Sequence, residues 1–429
     1  MYIHFVYSKV LERLILIVGA MGNYSIGDVE ERNIVEKYSI VPDYRRIQNK
    51  INLKTIRVAV LVHLFYEEQV EYIQKYLKEV PDGIDIVILS SKEEILKQFQ
   101  NDRYIKIKKE NRGRDISALL VAAKKIIFQY KYICFVHDKK EKNPDDKEYV
   151  DLWKKNMWDN MLQSAAYVYN ILDVFENDEG LGMLVPLPPH KGDKGVWLKR
   201  GWGNTYEQIR DLAKELGILS YVCYENPPFT YSTVFWVKML SLRKLFLKEW
   251  KYTDFPDEPM RDYGEINHAV ERILQYIVED AGYETRIVLS STFASGFIEQ
   301  LKVEMNKIWD WNESTFGISN YNEMDYYRLR LEKVKQFEKS HSNIYLYGAG
   351  KAGRDCLKMC SMLDIKPVGV LVTDIADAPA DMEGIQVLPI AESSVIKGSG
   401  IIITVYNNSY QDEIKRVLEK EGFYDYIVF

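Results

Sequence analysis

Cysteine is scarce in this chain of 429 residues, with only Cys134, Cys223, Cys356 and Cys360. None belongs to a Cys-x-x-Cys pair, so the usual spacing of a structural zinc site is missing. Reduced thiols in a cytosolic protein are the expectation. A basic excess is missing as well. The 57 lysines and arginines face 63 acids, for a net charge of −6, and the two signs are interleaved. Nucleic acid is thereby excluded as the main partner, because binding a phosphate backbone needs a net basic face. Nor does any apolar run reach the roughly 20 residues of a spanning helix. The opening stretch MYIHFVYSKVLERLILIVGAMGNYS is interrupted by Lys9, Glu12 and Arg13, which argues against a secretory signal. Its Val10, Leu14, Ile17 and Val18 share one helical face. That face suits packing on the protein's own body or a peripheral membrane contact.

What is present is ordinary globular material, 47% hydrophobic and 28% charged. The length predicts two or three domains. Four segments are expected: an N-terminal segment over 1–54, a main domain over 55–300, a helical linker over 301–342 and a small domain over 343–429. In the main domain, apolar strands such as TIRVAVLVHLFY, IDIVILSS and YICFVHDKK alternate with helical patterns such as EEQVEYIQKYLKEV and DISALLVAAKKIIFQY. This alternation predicts an α/β fold with a parallel-rich sheet. Ligands of such sheets bind at the carboxyl ends of the strands. That rule selects the loops His63 to Glu67, Asn111 to Asp115 and His137 to Lys140.

Three stretches carry candidate chemistry. In NRGRDISALL, Asn111, Arg112, Arg114 and Asp115 surround Gly113 where a strand gives way to a helix. Guanidinium forks grip phosphate oxygens, and a helix start favours anions. Asp115 serves equally well as a helix cap or an ion-pair partner. In YICFVHDKK, a buried strand ends in His137, Asp138 and Lys139, where many nucleotide-sugar transferases carry Asp-x-Asp for a divalent metal. A lysine cannot ligate a hard cation, so transfer without a metal is expected, with Lys139 offsetting leaving-group charge. In DFPDEPMRDYGEINHAVER, the acids Asp257, Glu258 and Asp262 are candidates for the base that deprotonates an acceptor hydroxyl. Capping of the following helix, which carries His268 and Glu271, is the structural alternative. Phe235 and Trp236 suit an acceptor site or the core.

Taken together, these stretches resemble the rhamnan synthesis protein F family, which is glycosyltransferase-like. The resemblance rests on Asn111 to Ile116, on His137 to Lys140, on Phe235 and Trp236, and on Phe255, Pro256, His268, Ala269, Glu271 and Arg272, in that order. It implies a GT-A-like domain over 55–300 and transfer of rhamnose from a nucleotide sugar such as dTDP-rhamnose. The implied acceptor is a lipid-linked glycan at the cytoplasmic face of the membrane. His63 and Tyr66 would lie near the base, and Arg112 and Arg114 near the phosphates. Where the family often has Asp-Gly-Thr, this chain has Asp262, Tyr263, Gly264 and Glu265.

The last segment opens with IYLYGAGKAG, a strand running into Gly348, Gly350 and Gly353 and then a helix. This is a dinucleotide-type fingerprint in its proper context, with Asp374 near the expected ribose-binding position. A small Rossmann-like unit that holds a nucleotide is one reading, and a tight packing module is the other. Two further functional readings follow. One is a nucleotide-sugar oxidoreductase or epimerase using this fingerprint, and the other is a non-catalytic scaffold of polysaccharide assembly.

Overall fold

The computed structural model describes residues 37–46, 51–188, 202, 204–220, 222, 224, 227–260, 264–316, 321–376, 378–392 and 398–429. The surface-helix expectation for the first 25 residues falls outside them, as does Cys223. The chain divides into two compact units, one over Ile34–Glu304 and one that includes Met305–Phe429.

The first unit is built on eight strands. They are β1 (Tyr38–Val41), β2 (Val58–His63), β3 (Asp85–Ser90), β4 (Tyr104–Lys108), β5 (Tyr132–His137), β6 (Leu181–Val185), β7 (Phe235–Lys238) and β8 (Glu284–Ser290). The sheet order is β1-β8-β6-β7-β5-β2-β3-β4. Every neighbouring pair is parallel except the two that β7 makes with β5 and β6. Helices α1 (Val70–Leu77), α2 (Glu93–Lys97), α3 (Arg114–Ser117), α4 (Lys124–Ile127), α5 (Lys147–Leu162), α6 (Ala165–Asn177), α7 (Tyr206–Glu215) and α8 (Ile266–Asp280) surround it.

Strand β2 shows why the central strands read as unbroken apolar runs, for all six of its residues are buried. Ala59 and Leu61 face one core with Ile116, Leu119, Ile273 and Ile277. Val58, Val60 and Val62 face the other with Ile73, Trp158, Met161 and Tyr167. A parallel strand covered on both faces needs branched apolar residues at every position. Phe235 and Trp236 also belong to these cores. Phe235 stacks on Phe135, and the Trp236 indole donates to Met161 O at 2.8 Å.

The continuous helix expected over DISALLVAAKKIIFQY is interrupted. Between α3 and α4 the turn over Ala118–Ala122 widens, and Ala123 N bonds Ala118 O at 3.0 Å. Such wide turns insert one residue into a helix.

Helix α9 (Ser291–Phe316) follows β8. In the second unit, α10 (Tyr321–Glu338) sets Val334, with Leu331 and Phe337, against the core of a second sheet. Its strands are β9 (Ile344–Tyr347), β10 (Gly369–Val372), β11 (Asp381–Met382), β12 (Ile385–Pro389), β13 (Gly400–Ile403) and β14 (Tyr426–Val428), in the order β11-β12-β10-β9-β13-β14. All pairs are parallel except β11 with β12. Helices α11 (Lys351–Met362) and α12 (Asn408–Lys420) pack on it, and Cys356 and Cys360 are buried free thiols of α11.

Asn160 ties α5 to the sheet. Its Oδ1 accepts from Ser290 N at 2.8 Å, and its Nδ2 donates to Asn156 Oδ1 at 2.8 Å, all fully or nearly fully buried. Asn160→Ala strands a buried amide and should cost about 1–3 kcal/mol in denaturant unfolding. A loss below about 0.5 kcal/mol would show that water satisfies the freed groups.

Candidate functional site

The carboxyl ends of the neighbouring strands β5 and β2, with that of β4 one strand beyond across β3, carry most of the residues singled out from the sequence. His63 ends β2 and stands in register with His137, the end of β5. The β2 loop is pinned there by Asp138, whose Oδ2 accepts from Phe65 N at 2.7 Å and Tyr66 N at 2.6 Å. Burial lifts the Asp138 carboxyl to about 6, against the pull of those two amides. Asp138 thus holds the loop that presents Tyr66, a half-buried ring packed edge-on against Phe65.

His137 places Nδ1 2.7 Å from Asp138 O and Nε2 2.5 Å from Ser232 O. Ser232 and Thr233 adopt positive φ of 81° and 48°. Such backbone persists only where its surroundings hold it. Here Glu271 Oε2 accepts from Ser232 N at 2.9 Å, Trp153 Nε1 donates to Ser232 Oγ at 2.7 Å, and His137 takes the Ser232 carbonyl. The Glu271 carboxylate also pairs with Arg272 at 3.0 Å.

Asp115 is central to this edge. Burial raises its carboxyl, but His137, His63 and a hydrogen bond from Thr233 outweigh burial and hold it below the usual range. Burial drives His63 the other way, down to about 3, and Lys109 adds to the effect. The Lys109 ammonium is itself buried and pushed down to about 8, with Asp115, Glu258 and Glu110 opposing. It donates to Glu110 O at 2.7 Å and Arg112 O at 3.3 Å, holding the turn that follows β4.

That turn carries Arg112 and Arg114. Gly113 sits at φ 70°, and a Cβ there would lie 2.6 Å from Phe255 Cγ, so only glycine fits. Arg112 donates from Nε to Phe255 O at 2.6 Å and pairs with Asp257 at 3.0 Å. Arg114 meets Glu258 at 3.3 Å and Met260 O at 3.1 Å. Glu258 also accepts from Met260 N at 3.0 Å. Two of the three acids singled out as bases are therefore ion-paired to the two arginines. Asp257 is the exposed one, with 84% of its side-chain surface free. Asp262 lies outside the described residues. Asn111 is exposed at the start of the turn.

Lys139 completes the edge. Its ammonium sits 3.5 Å from the centre of the Trp153 ring, a cation–π contact. Burial lowers its pKa, Lys142 and Arg114 add to this, and Glu271 and Asp115 oppose. Arg114, Lys139, Asp115 and Glu271 therefore share one electrostatic neighbourhood. Arg112 is tied instead to the Phe255–Asp257 segment. Among the described residues, no three His, Cys, Asp or Glu side chains gather as a metal site requires.

Lys109 and Trp153 were not singled out from the sequence. Lys109 had a usable signal, since it follows β4 directly at the edge where ligands of parallel sheets bind. Trp153 had none, because it reaches Lys139 and Ser232 only through folding.

In the second unit, β9 runs into Gly348 and Gly350 and then α11, whose first turn carries Gly353. A Cβ on Gly353 would lie 2.3 Å from Gly348 O, so the close strand–helix approach needs glycine. Asp374, two residues past β10, is exposed and accepts from Ala376 N at 2.9 Å.

The depressed His63 gives a signed pH dependence. Unfolded, this histidine takes up a proton below about 6.5, and folded it does so only near 3. Its stabilising effect is complete above 6.5 and is lost as pH falls through this window. Between pH 6.5 and 5 the loss amounts to about 2 kcal/mol. His63→Gln should flatten the urea-unfolding stability over that interval, and an unchanged slope would show the imidazole titrating normally.

Among the described residues no helix is long and apolar enough to cross a membrane. Protein WxcX of Xanthomonas campestris pv. campestris strain B100, described as uncharacterized, is 25% identical over 180 residues, or 42% of this chain. Its counterpart in a second strain of that pathovar matches equally. The matched stretch spans about a quarter (24%) of the length of these relatives. Residues 16–283, well over half of the chain, match the family described as Rhamnan synthesis protein F. The edge formed by His63, Asn111–Asp115 and His137–Lys139 falls wholly inside that match, and this chain belongs to the rhamnan synthesis protein F family.

Proposed function

We propose that this chain transfers a sugar, rhamnose in the leading reading, from a nucleotide donor to a polysaccharide intermediate through a GT-A-like domain. Family membership supports a role in polysaccharide synthesis. The observation that carries the transferase reading is the gathering of Arg114, Lys139, Lys109 and two histidines at the carboxyl edge of one parallel-rich sheet. Such an edge suits a nucleoside diphosphate. Arginine forks match phosphate oxygens, and ammonium groups offset charge that grows on the leaving diphosphate.

In the proposed step, an acceptor hydroxyl oxygen attacks the anomeric carbon from the face opposite the diphosphate. The new C–O bond forms as the bond to phosphate breaks, and the electron pair leaves with the nucleoside diphosphate. The hydroxyl proton passes to a carboxylate. Glu258 has both oxygens engaged, so Asp262 is the preferred base among the three acids. Lys139 and Arg114 take the place of a divalent cation. The acceptor would be a lipid-linked glycan at the cytoplasmic face. The second unit would hold a nucleotide or nucleotide sugar at the glycine turn between β9 and α11.

A panel of nucleotide sugars tested on the intact chain checks the reading. dTDP-rhamnose should raise the melting temperature, since a ligand at 100 times its Kd adds about 2.7 kcal/mol. If no nucleotide sugar shifts the transition, the reading fails. Lys139→Met should lower kcat about 100-fold or more with unfolding little changed. Asp262→Asn should do the same without weakening donor binding. Chelator should leave turnover intact, and a sharp loss would overturn the metal-free step.

A further inference from the structure

Beside the cationic edge lies a separate cleft of about 270 Å³. Trp153 and Asn156 of α5 line it on one side, Phe293, Gly296 and Phe297 of α9 on the other, and Pro188 also lines it. Trp153 belongs to both places, because the Lys139 ammonium rests against this ring and its indole N–H holds Ser232. The rings of Phe293 and Phe297 stack with centres 6.1 Å apart, 16° from parallel.

Gly296 is the informative residue. It sits inside a 26-residue helix, where glycine is destabilising relative to alanine. Its φ is not positive, and a Cβ placed on it would find no atom within 4 Å. Neither backbone geometry nor close packing requires glycine there. What its missing side chain does is keep that wall of the cleft open.

The lining also limits the occupant. Its one charged group, Lys155, is paired with Asp159 at 3.4 Å. Asn156 keeps unused hydrogen-bonding capacity after its bonds to Leu187 O and Asn160. The lining is otherwise neutral and mostly apolar or aromatic, with Thr292, Gln300 and Asn156 as its uncharged polar groups. A neutral ring with C–H groups on its faces and hydroxyls at its rim suits it, lying against aromatic rings and reaching an amide at the edge. The volume falls just below the roughly 300–1,000 Å³ of drug-sized pockets, which fits one sugar residue.

We infer that this cleft is the acceptor subsite and that it takes a neutral saccharide ring between Trp153 and the Phe293–Phe297 pair. The inference rests on the transferase reading for the word acceptor, but saccharide binding itself does not. Trp153 then joins the two substrates, with Lys139 and the donor diphosphate on one side and the acceptor ring on the other.

The test uses the intact chain and methyl α-L-rhamnoside, with binding read by saturation-transfer NMR and donor binding read separately by thermal shift with dTDP-rhamnose. Gly296→Leu fills the cleft with a good helix former, so the fold should persist. Saccharide binding should weaken at least tenfold while the donor shift stays as in the parent chain. Phe297→Ala, which removes one face of the stack, should weaken saccharide binding as well. Unchanged rhamnoside binding in Gly296→Leu overturns the inference. So does rhamnoside failing to bind the parent chain while a short polyprenyl phosphate binds and is displaced by the leucine. If the parent chain binds rhamnoside and loses it in Gly296→Leu but shows no donor shift, the cleft stands and the transferase reading falls.

Discussion

Arg112 and Arg114 both reach across to the 255–260 segment, more than 140 positions away in sequence, and the candidate site depends on that docking. Without it, two guanidinium groups would stand at the end of β4 beside buried Lys109 without their paired acids Asp257 and Glu258. The docking is geometric as well as electrostatic. Gly113 admits the Phe255 ring where any side chain would collide, and Asn267 at the start of α8 donates to Gly113 O at 2.8 Å. The arginine turn, the acidic segment and α8 are therefore one assembly. That assembly carries many of the residues on which the family resemblance rests.

The two ion pairs differ in a way that matters for binding. Asp257 is almost fully exposed, and exposed pairs contribute roughly 0–1 kcal/mol. Under the proposed function, a diphosphate oxygen would displace it from Arg112 at little cost. Glu258 is largely covered and keeps a backbone amide besides Arg114. Removing its partner would leave a poorly solvated carboxylate. Arg112 is thus the replaceable contact and Arg114 the anchored one. Phosphate binding by Arg114 would add to its pair with Glu258 rather than replace it.

Much of the fold was legible because it is written locally. Short branched runs such as VAVLVH favour strands buried on both faces, and glycines at strand ends mark the turns of both sheets. The antiparallel β7 was not legible, since its apolar run reads the same in either direction. The wide turn at Ala118–Ala122 was hidden because the helical period survives it. In the site, strand-end position revealed His63, Arg112, Arg114 and Lys139. It could not reveal that Asp257 and Glu258 would be occupied by the arginines, or that Asp138 would serve its neighbouring loop. Those roles depend on contacts between residues far apart in the chain. Trp153 shows the same limit, for its partners Lys139 and Ser232 come from the stretch after β5 and the loop before β7.

The charge state of this edge follows from how deeply each cation is buried. His63 is driven neutral, Lys109 is brought down to about 8, and Lys139 is lowered against the pull of Glu271 and Asp115. Burial alone would discharge such a cluster, and the carboxylates of Asp115 and Glu271 oppose that. A diphosphate at the rim, as proposed, would act in the same direction as those carboxylates, because a nearby anion favours the ammonium form. Under the proposed function, donor binding and protonation of Lys109 and Lys139 would therefore reinforce each other. With such a donor bound, the edge would hold its lysine charge more firmly than it does without one.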